Sequence, residues 1–306
     1  MSHVDYQAGR ETLRLLPADG LFTALADRLW DRADAGAEPT IEVRLEWTPS
    51  PPEAPPVPER GLVWRFEPRR LVADIEPHLH AEIDLERPAV LGWASLALLR
   101  EEPALVARYL LEAPTAYLFS RRAYDVLHAG GVVGPAGAVV LRGASGAGKS
   151  TLIAACWKSG LAILGDESLL VAREAADELL PAVRDLTLLP EGAVAAGVLA
   201  ETVPAFSGGE EKLRIDLFAG SRPALRRARR AATVLLGERE PGPARLTPLS
   251  AEAFLKQFPE GAIPEERLPG SNPDRIAARW AGNRTFRLDG AGQLSAAVSL
   301  IRGLAH

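Results

Sequence analysis

The stretch Gly143-Ala144-Ser145-Gly146-Ala147-Gly148-Lys149-Ser150-Thr151 matches G-x-x-x-x-G-K-[ST] at every fixed position. Its surroundings decide how far it can be read. GAVVL, within Gly131–Arg142, is a short apolar strand, TLIAACWKSG reads as a helix ending at Gly160, and LAILGDE as a second strand. Strand, loop, helix and strand within some forty residues is the setting in which such a loop wraps phosphate. Glycines let backbone N–H groups converge on the anion, and the helix beginning near Lys149 adds its positive end. Lys149 is expected to reach the β- and γ-phosphates of ATP, and the Ser150 hydroxyl to bind Mg²⁺.

Phosphoryl chemistry also needs a carboxylate near metal and nucleophile. Asp166 and Glu167 follow Lys149 by only seventeen and eighteen residues, at the end of the apolar strand that the helix reaches next. Either acid could hold Mg²⁺ or take the proton of an acceptor hydroxyl.

A second stretch competes. FSGGEEKLR (Phe206–Arg214) resembles the signature loop of ATP-binding-cassette ATPases, and TVLLGEREP resembles their acidic strand, except that Gly237 stands where a metal-binding Asp is needed. A polar hairpin turn, SGGEE, leading into the strand KLRIDL explains the same letters. A P-loop ATPase or nucleotide switch with no phosphorylated acceptor is the alternative reading.

LHAGGVVGPAGAVVLRGASGAGKSTLIAACWKSGLAILGDESLLV resembles the bacterial HPr kinase family, particularly its shorter relatives beside modified-peptide gene clusters. The likeness rests on His128 before the loop strand, Ser145 within the loop, and the acidic pair on the next strand; it weakens through LLPAVRDLTLL, EEKLRIDL, ATVLLGE and NRTFRLDG. It implies an α/β kinase fold akin to phosphoenolpyruvate carboxykinase, with ATP and Mg²⁺ on the loop and transfer to a seryl hydroxyl. By position, Lys149, Asp166, Glu167 and His128 are the catalytic set, residues 143–151 bind nucleotide, and Ser150, Asp166 and Glu167 face the metal. The acceptor is a protein or peptide serine, or a small-molecule hydroxyl. A homo-oligomer is also implied.

Upstream the grammar differs. LFTALADRLW carries a helical apolar stripe; TIEVRLEW alternates with Ile41, Val43, Leu45 and Trp47 on one face, as a half-buried antiparallel strand does. Six prolines in the ten residues of PSPPEAPPVP make a stiff loop, and alternation returns in GLVWRF and HLHAEIDL. Residues 1–118 therefore read as a small α+β module dominated by antiparallel strands, joined to a kinase-like domain over 119–306 by helix from about Leu91 to Ala123, broken near Pro103 and Pro114.

The chain has 306 residues, is 47% hydrophobic and carries a net charge of −5, enough for two cores and no electrostatic case for nucleic acid as main partner. No apolar run is long enough to span a bilayer and no secretory leader is evident, so the expected compartment is the cytoplasm. The single cysteine, Cys156, excludes an internal disulfide and is expected in the core of the helix after the loop. Lys212 and Arg214 share a strand face and, like Arg184, could clamp an anion. Arg222, Arg226, Arg227, Arg229 and Arg230 form a basic run; His78 and His80 lie two apart on a predicted strand, with no third zinc ligand in sight.

Overall fold

The computed structural model describes residues 2–17, 20–48, 63–67, 69–182, 186–207, 210–215, 225–237, 242–262, 266, 270–290 and 292–306. The proline run, Arg184 and Arg222 fall outside them. The chain divides into two compact units, Met1–Phe119 and Ser120–His306.

In the first unit an eight-stranded sheet contains β1 (Val4–Ala8), β2 (Glu11–Leu16), β3 (Asp31–Arg32), β4 (Ile41–Thr48), β5 (Val63–Phe66), β6 (Arg70–Ile75), β7 (Leu79–Asp84) and β8 (Ala89–Ser95), in the order 3-1-2-4-8-7-6-5. Helix α1 (Gly20–Leu29) buries Phe22, Leu25, Ala26 and Leu29, so the apolar stripe of LFTALADRLW faces the core except at Leu21, which is 42% exposed. Ile41, Val43 and Leu45 of β4 are buried as their alternation requires, but Trp47 is 46% exposed. The expected antiparallel pairing is wrong for this strand: β4 runs parallel to both neighbours, β2 and β8. Alternation reports one wet face; it carries no information on strand direction.

The helical region also starts later than expected, because Ala89–Ser95 is strand β8, paired with β4 and β7. Gly92 explains the choice: a Cβ there would stand 2.8 Å from the His80 carbonyl oxygen and 2.9 Å from Leu110, a close approach that only a glycine strand position permits. Ser95 then caps α2 (Leu96–Glu101) by accepting from the Leu98 amide, and α3 (Pro103–Val106) restarts after the break at Glu102. A π-helical stretch, Ala107–Glu112, continues into α4 (Ala113–Arg122).

The second unit is mixed α/β. Its strands are β9 (Tyr124–Leu127), β10 (Gly130–Gly134), β11 (Gly137–Arg142), β12 (Ala162–Gly165), β13 (Leu169–Ala172), β14 (Glu178–Pro181), β15 (Leu186–Leu188), β16 (Thr202–Ser207), β17 (Glu210–Ile215), β18 (Ala228–Leu236), β19 (Arg245–Pro248) and β20 (Thr285–Asp289). Nine form one sheet in the order 12-10-11-18-14-13-9, with β20 joining β18 and β19; β15, β17 and β16 make a separate small sheet. Strands β11, β18 and β20 run parallel.

Both faces of β11 are covered, which is why GAVVL is apolar without alternation. On one face Val139 and Leu141 pack with α5 (Lys149–Lys158), α6 (Pro190–Ala196) and α9 (Leu294–Ala305), in a cluster that also buries Cys156. On the other, Ala138 and Val140 meet Phe254 of α7 (Ala251–Gln257), Phe258, and Ile276 and Trp280 of α8 (Pro273–Trp280). Burial pushes the Cys156 thiol up to about 12, so it is a core side chain and no nucleophile. No helix among the described residues is long and apolar enough to cross a membrane.

Candidate active site

Strand β11 ends at Arg142 and α5 begins at Lys149, so the glycine-rich stretch is the link between them. Gly146 and Gly148 take φ values of 80° and 91°, left-handed conformations that a side chain resists. The first helical hydrogen bond runs from the Leu152 amide to the Gly148 carbonyl. The amides of Lys149, Ser150 and Thr151 therefore precede the helix's own ladder and point out of its positive end, the arrangement that holds an anion. Gly143 lets the loop lie against β18: a Cβ there would be 3.0 Å from Leu236 Cβ.

Asp166, the residue after β12, is completely buried, yet neither carboxylate oxygen receives a hydrogen bond of good geometry. Burial holds its pKa above the usual carboxylate range; the Lys149 ammonium, the Ser150 hydroxyl and the Glu167 backbone amide pull against that shift, and the Glu167 charge adds to it. Burying an acid this poorly satisfied costs on the order of several kcal/mol, which makes Asp166 a candidate position for a cation or a proton. Both neighbours are shaped around it. At Gly130 a Cβ would collide with Ile153 and stand 3.1 Å from Asp166 Oδ1. Glu167 has φ 65°, and the Ser168 amide donates to the Asp166 carbonyl at 2.8 Å, a three-residue γ-turn. That backbone strain costs on the order of 1–3 kcal/mol and is typical of functional positions. The turn aims the two acids separately: Thr187 Oγ1 donates to Glu167 Oε1 at 3.3 Å, while Asp166 faces inward.

His128 closes the other side. Lys149 Nζ donates to its Nε2 at 3.3 Å. Burial, then the Lys149 ammonium, push the imidazole down to about 4, so it is neutral near pH 7. Its backbone is gripped at both ends: the amide donates to Glu266 Oε1 and the carbonyl accepts from Arg142 Nη1 at 3.0 Å. Arg142 and Glu266 form a bidentate pair, side chains 1% and 0% exposed, with Arg142 Nε on the Phe258 carbonyl and its guanidinium 4.2 Å from the Phe258 ring. The strand that launches the loop thus also sets the position of His128.

Compared with known proteins, the chain matches no family model and no curated protein.

The structure gathers Lys149, Ser150, Asp166, Glu167 and His128, the residues the sequence nominated, around one loop. Other nominations fare differently. FSGGEEKLR lies across a strand pair, β16 and β17, with Ser207 opposite Glu210, so no helix start follows it. Lys212 and Arg214 do sit on β17, and Arg214 lies directly opposite Thr187, the partner of Glu167. Arg230 leaves the basic run: it is buried, bonded to Asp177 at 3.1 Å and 4.9 Å from the Trp280 ring centre. His78 is in the turn before β7, its Nδ1 2.9 Å from Ser95 Oγ, whereas His80 bonds Asp74 and stacks on Trp93, so the two share no ligand position. Among the described residues no group of three His, Cys, Asp or Glu could hold a metal. A Mg²⁺ site on a phosphate loop needs only one or two carboxylates beside nucleotide oxygens and water, and Asp166 with Ser150 fits that demand. A cleft of about 420 Å³ in the first unit, lined by Asp74, Glu76, His80 and Trp93, contains none of these groups.

Sequence reasoning missed Arg142 and Glu266. An arginine closing an apolar strand is a signal that a buried acid must exist, but the partner is 124 residues away and nothing local marks it.

Proposed function

We propose that the chain is an ATP- and Mg²⁺-dependent kinase of HPr kinase type that transfers the γ-phosphoryl group to a hydroxyl, a serine of a protein or peptide being the acceptor its sequence resemblance favours. The observation that carries the reading is Asp166: a fully buried carboxylate at a strand end, with no hydrogen bond of good geometry to either oxygen and with Lys149 and Ser150 beside it.

In this reading the loop amides and Lys149 bind the β- and γ-phosphates, and Ser150 with Asp166 would hold Mg²⁺, which when bound neutralises phosphate charge. Neutral His128 keeps the Lys149 ammonium aimed into the site. The acceptor oxygen bonds to the γ-phosphorus as the bond from that phosphorus to the β–γ bridging oxygen breaks. ADP leaves with that electron pair, and the hydroxyl proton passes to Glu167, whose carboxylate the γ-turn holds apart from Asp166.

Incubation with γ-labelled ATP, Mg²⁺ and a cell lysate tests it, comparing wild type with Lys149→Ala and Asp166→Asn. Label on a seryl acceptor, lost in both variants, is the expected result. Free phosphate released at a rate indifferent to any acceptor would sink the kinase reading in favour of an ATPase.

A further inference from the structure

The acids lie on one flank of the loop: β12, which Asp166 directly follows, is separated from β11 by β10. A nucleotide with its γ-phosphate on that flank has to extend its nucleoside toward the other, where β18 and β20 end beside β11. Ligands of open α/β sheets bind outside the carboxyl ends of such parallel strands.

Three side chains converge there. Arg287 Nε donates to Asp289 Oδ1 at 2.8 Å and Arg287 Nη1 to Gln257 Oε1 at 2.9 Å. They roof Gly237, whose amide bonds the Leu288 carbonyl at 2.9 Å; a Cβ at Gly237 would collide with Asp289 Oδ1 and lie 2.9 Å from Arg287 Nη2. Gly237 is thus needed for the cluster to fold over the strand end. The side chains are not sealed, Arg287 being 31% and Asp289 41% exposed. The loop adjoins this edge through Gly143 and Leu236, and Gly261, shortly after Gln257, approaches the Gly143 backbone, where its Cβ would be at 3.2 Å. From β11 to β20 is two strand spacings, about 10 Å, within the reach of a nucleoside from a phosphate on the loop.

We propose that Arg287, Asp289 and Gln257 form the nucleoside subsite of the phosphate loop, taking the base and ribose of a purine nucleoside triphosphate. The guanidinium plane offers a stacking surface for a purine, the carboxylate accepts from a ribose hydroxyl or exocyclic amine, and the Gln257 amide reads a base edge. The assignment rests on the kinase reading only in that a nucleotide occupies the loop.

Calorimetry with two probes, ATP and inorganic triphosphate, both with Mg²⁺, separates the claims. Arg287→Ala is expected to weaken ATP about tenfold while triphosphate binds within about twofold of wild type, the retained phosphate binding showing that the fold is intact. Asp289→Asn is expected to weaken ATP alone in the same sense. Equal loss for both probes, or no loss for either, overturns the subsite. A wild type that binds ATP no more tightly than triphosphate overturns it too, with the loop reading left standing. A wild type that binds neither probe overturns the loop reading as well.

Discussion

The ammonium of Lys149 stands 3.3 Å from Nε2 of His128, an imidazole already held down to about 4 by burial and by that same charge. The ordinary histidine pKa is about 6.5, so between pH 6.5 and 4 the unfolded chain takes a proton that the folded chain refuses. Stability therefore falls as pH drops through that window. Because His128 is part exposed, about 1 kcal/mol is expected between pH 7 and pH 5 in wild type. Urea unfolding of wild type and His128→Asn at the two pH values measures it; an identical pH response in both would contradict the assigned pKa.

Asp166 carries the opposite sign. A carboxylate whose pKa is raised on folding binds its proton more tightly in the native state, so at neutral pH its charge costs stability. Asp166→Asn is expected to unfold about 1–2 kcal/mol harder at pH 7, an advantage that fades as acid protonates the wild-type group. Loss of stability at pH 7 would mean that the acid has a structural partner.

The Arg142–Glu266 pair is expected to behave as a unit. Glu266→Ala leaves a buried guanidinium without its partner and should cost about 3–5 kcal/mol, whereas Arg142→Met with Glu266→Met together should cost far less than the sum. A double-mutant cycle with no coupling would remove the pair from the account of how His128 is positioned.

Gly130→Ala tests the packing beneath the acid. Its methyl would meet the Ile153 side chain and crowd Asp166 and the Gly165 carbonyl, so a loss of about 1–3 kcal/mol is expected by thermal or urea unfolding. A neutral result would show that Ile153 moves aside freely.

What was legible in the sequence was local. The loop, the helix that Gly160 ends with φ 109°, and the strand leading to Asp166 follow from glycine positions and apolar runs that act over a few residues. The strand pairing on either side of SGGEE was legible for the same reason, with Ser207 opposite Glu210. Pairing direction was not. The alternation of TIEVRLEW is satisfied equally by parallel and antiparallel neighbours, and β4 has two parallel ones. Nor were the long-range polar partners legible. Arg142 with Glu266, and Arg287 with Gln257, are brought together by the packing of α7 and its following turn on the sheet, which no local period encodes. Arg230 shows the converse: it belongs to a basic run of five arginines, yet it is buried.

Asp166 is buried with no hydrogen bond of good geometry to either oxygen, and the Mg²⁺ dependence of ATP affinity asks directly whether a cation is what it holds. Titration calorimetry of ATP into wild type and Asp166→Asn, with and without Mg²⁺, is expected to show Mg²⁺ tightening ATP about tenfold or more in wild type and far less in the variant. Equal tightening in both proteins, or no ATP binding by wild type, would contradict it.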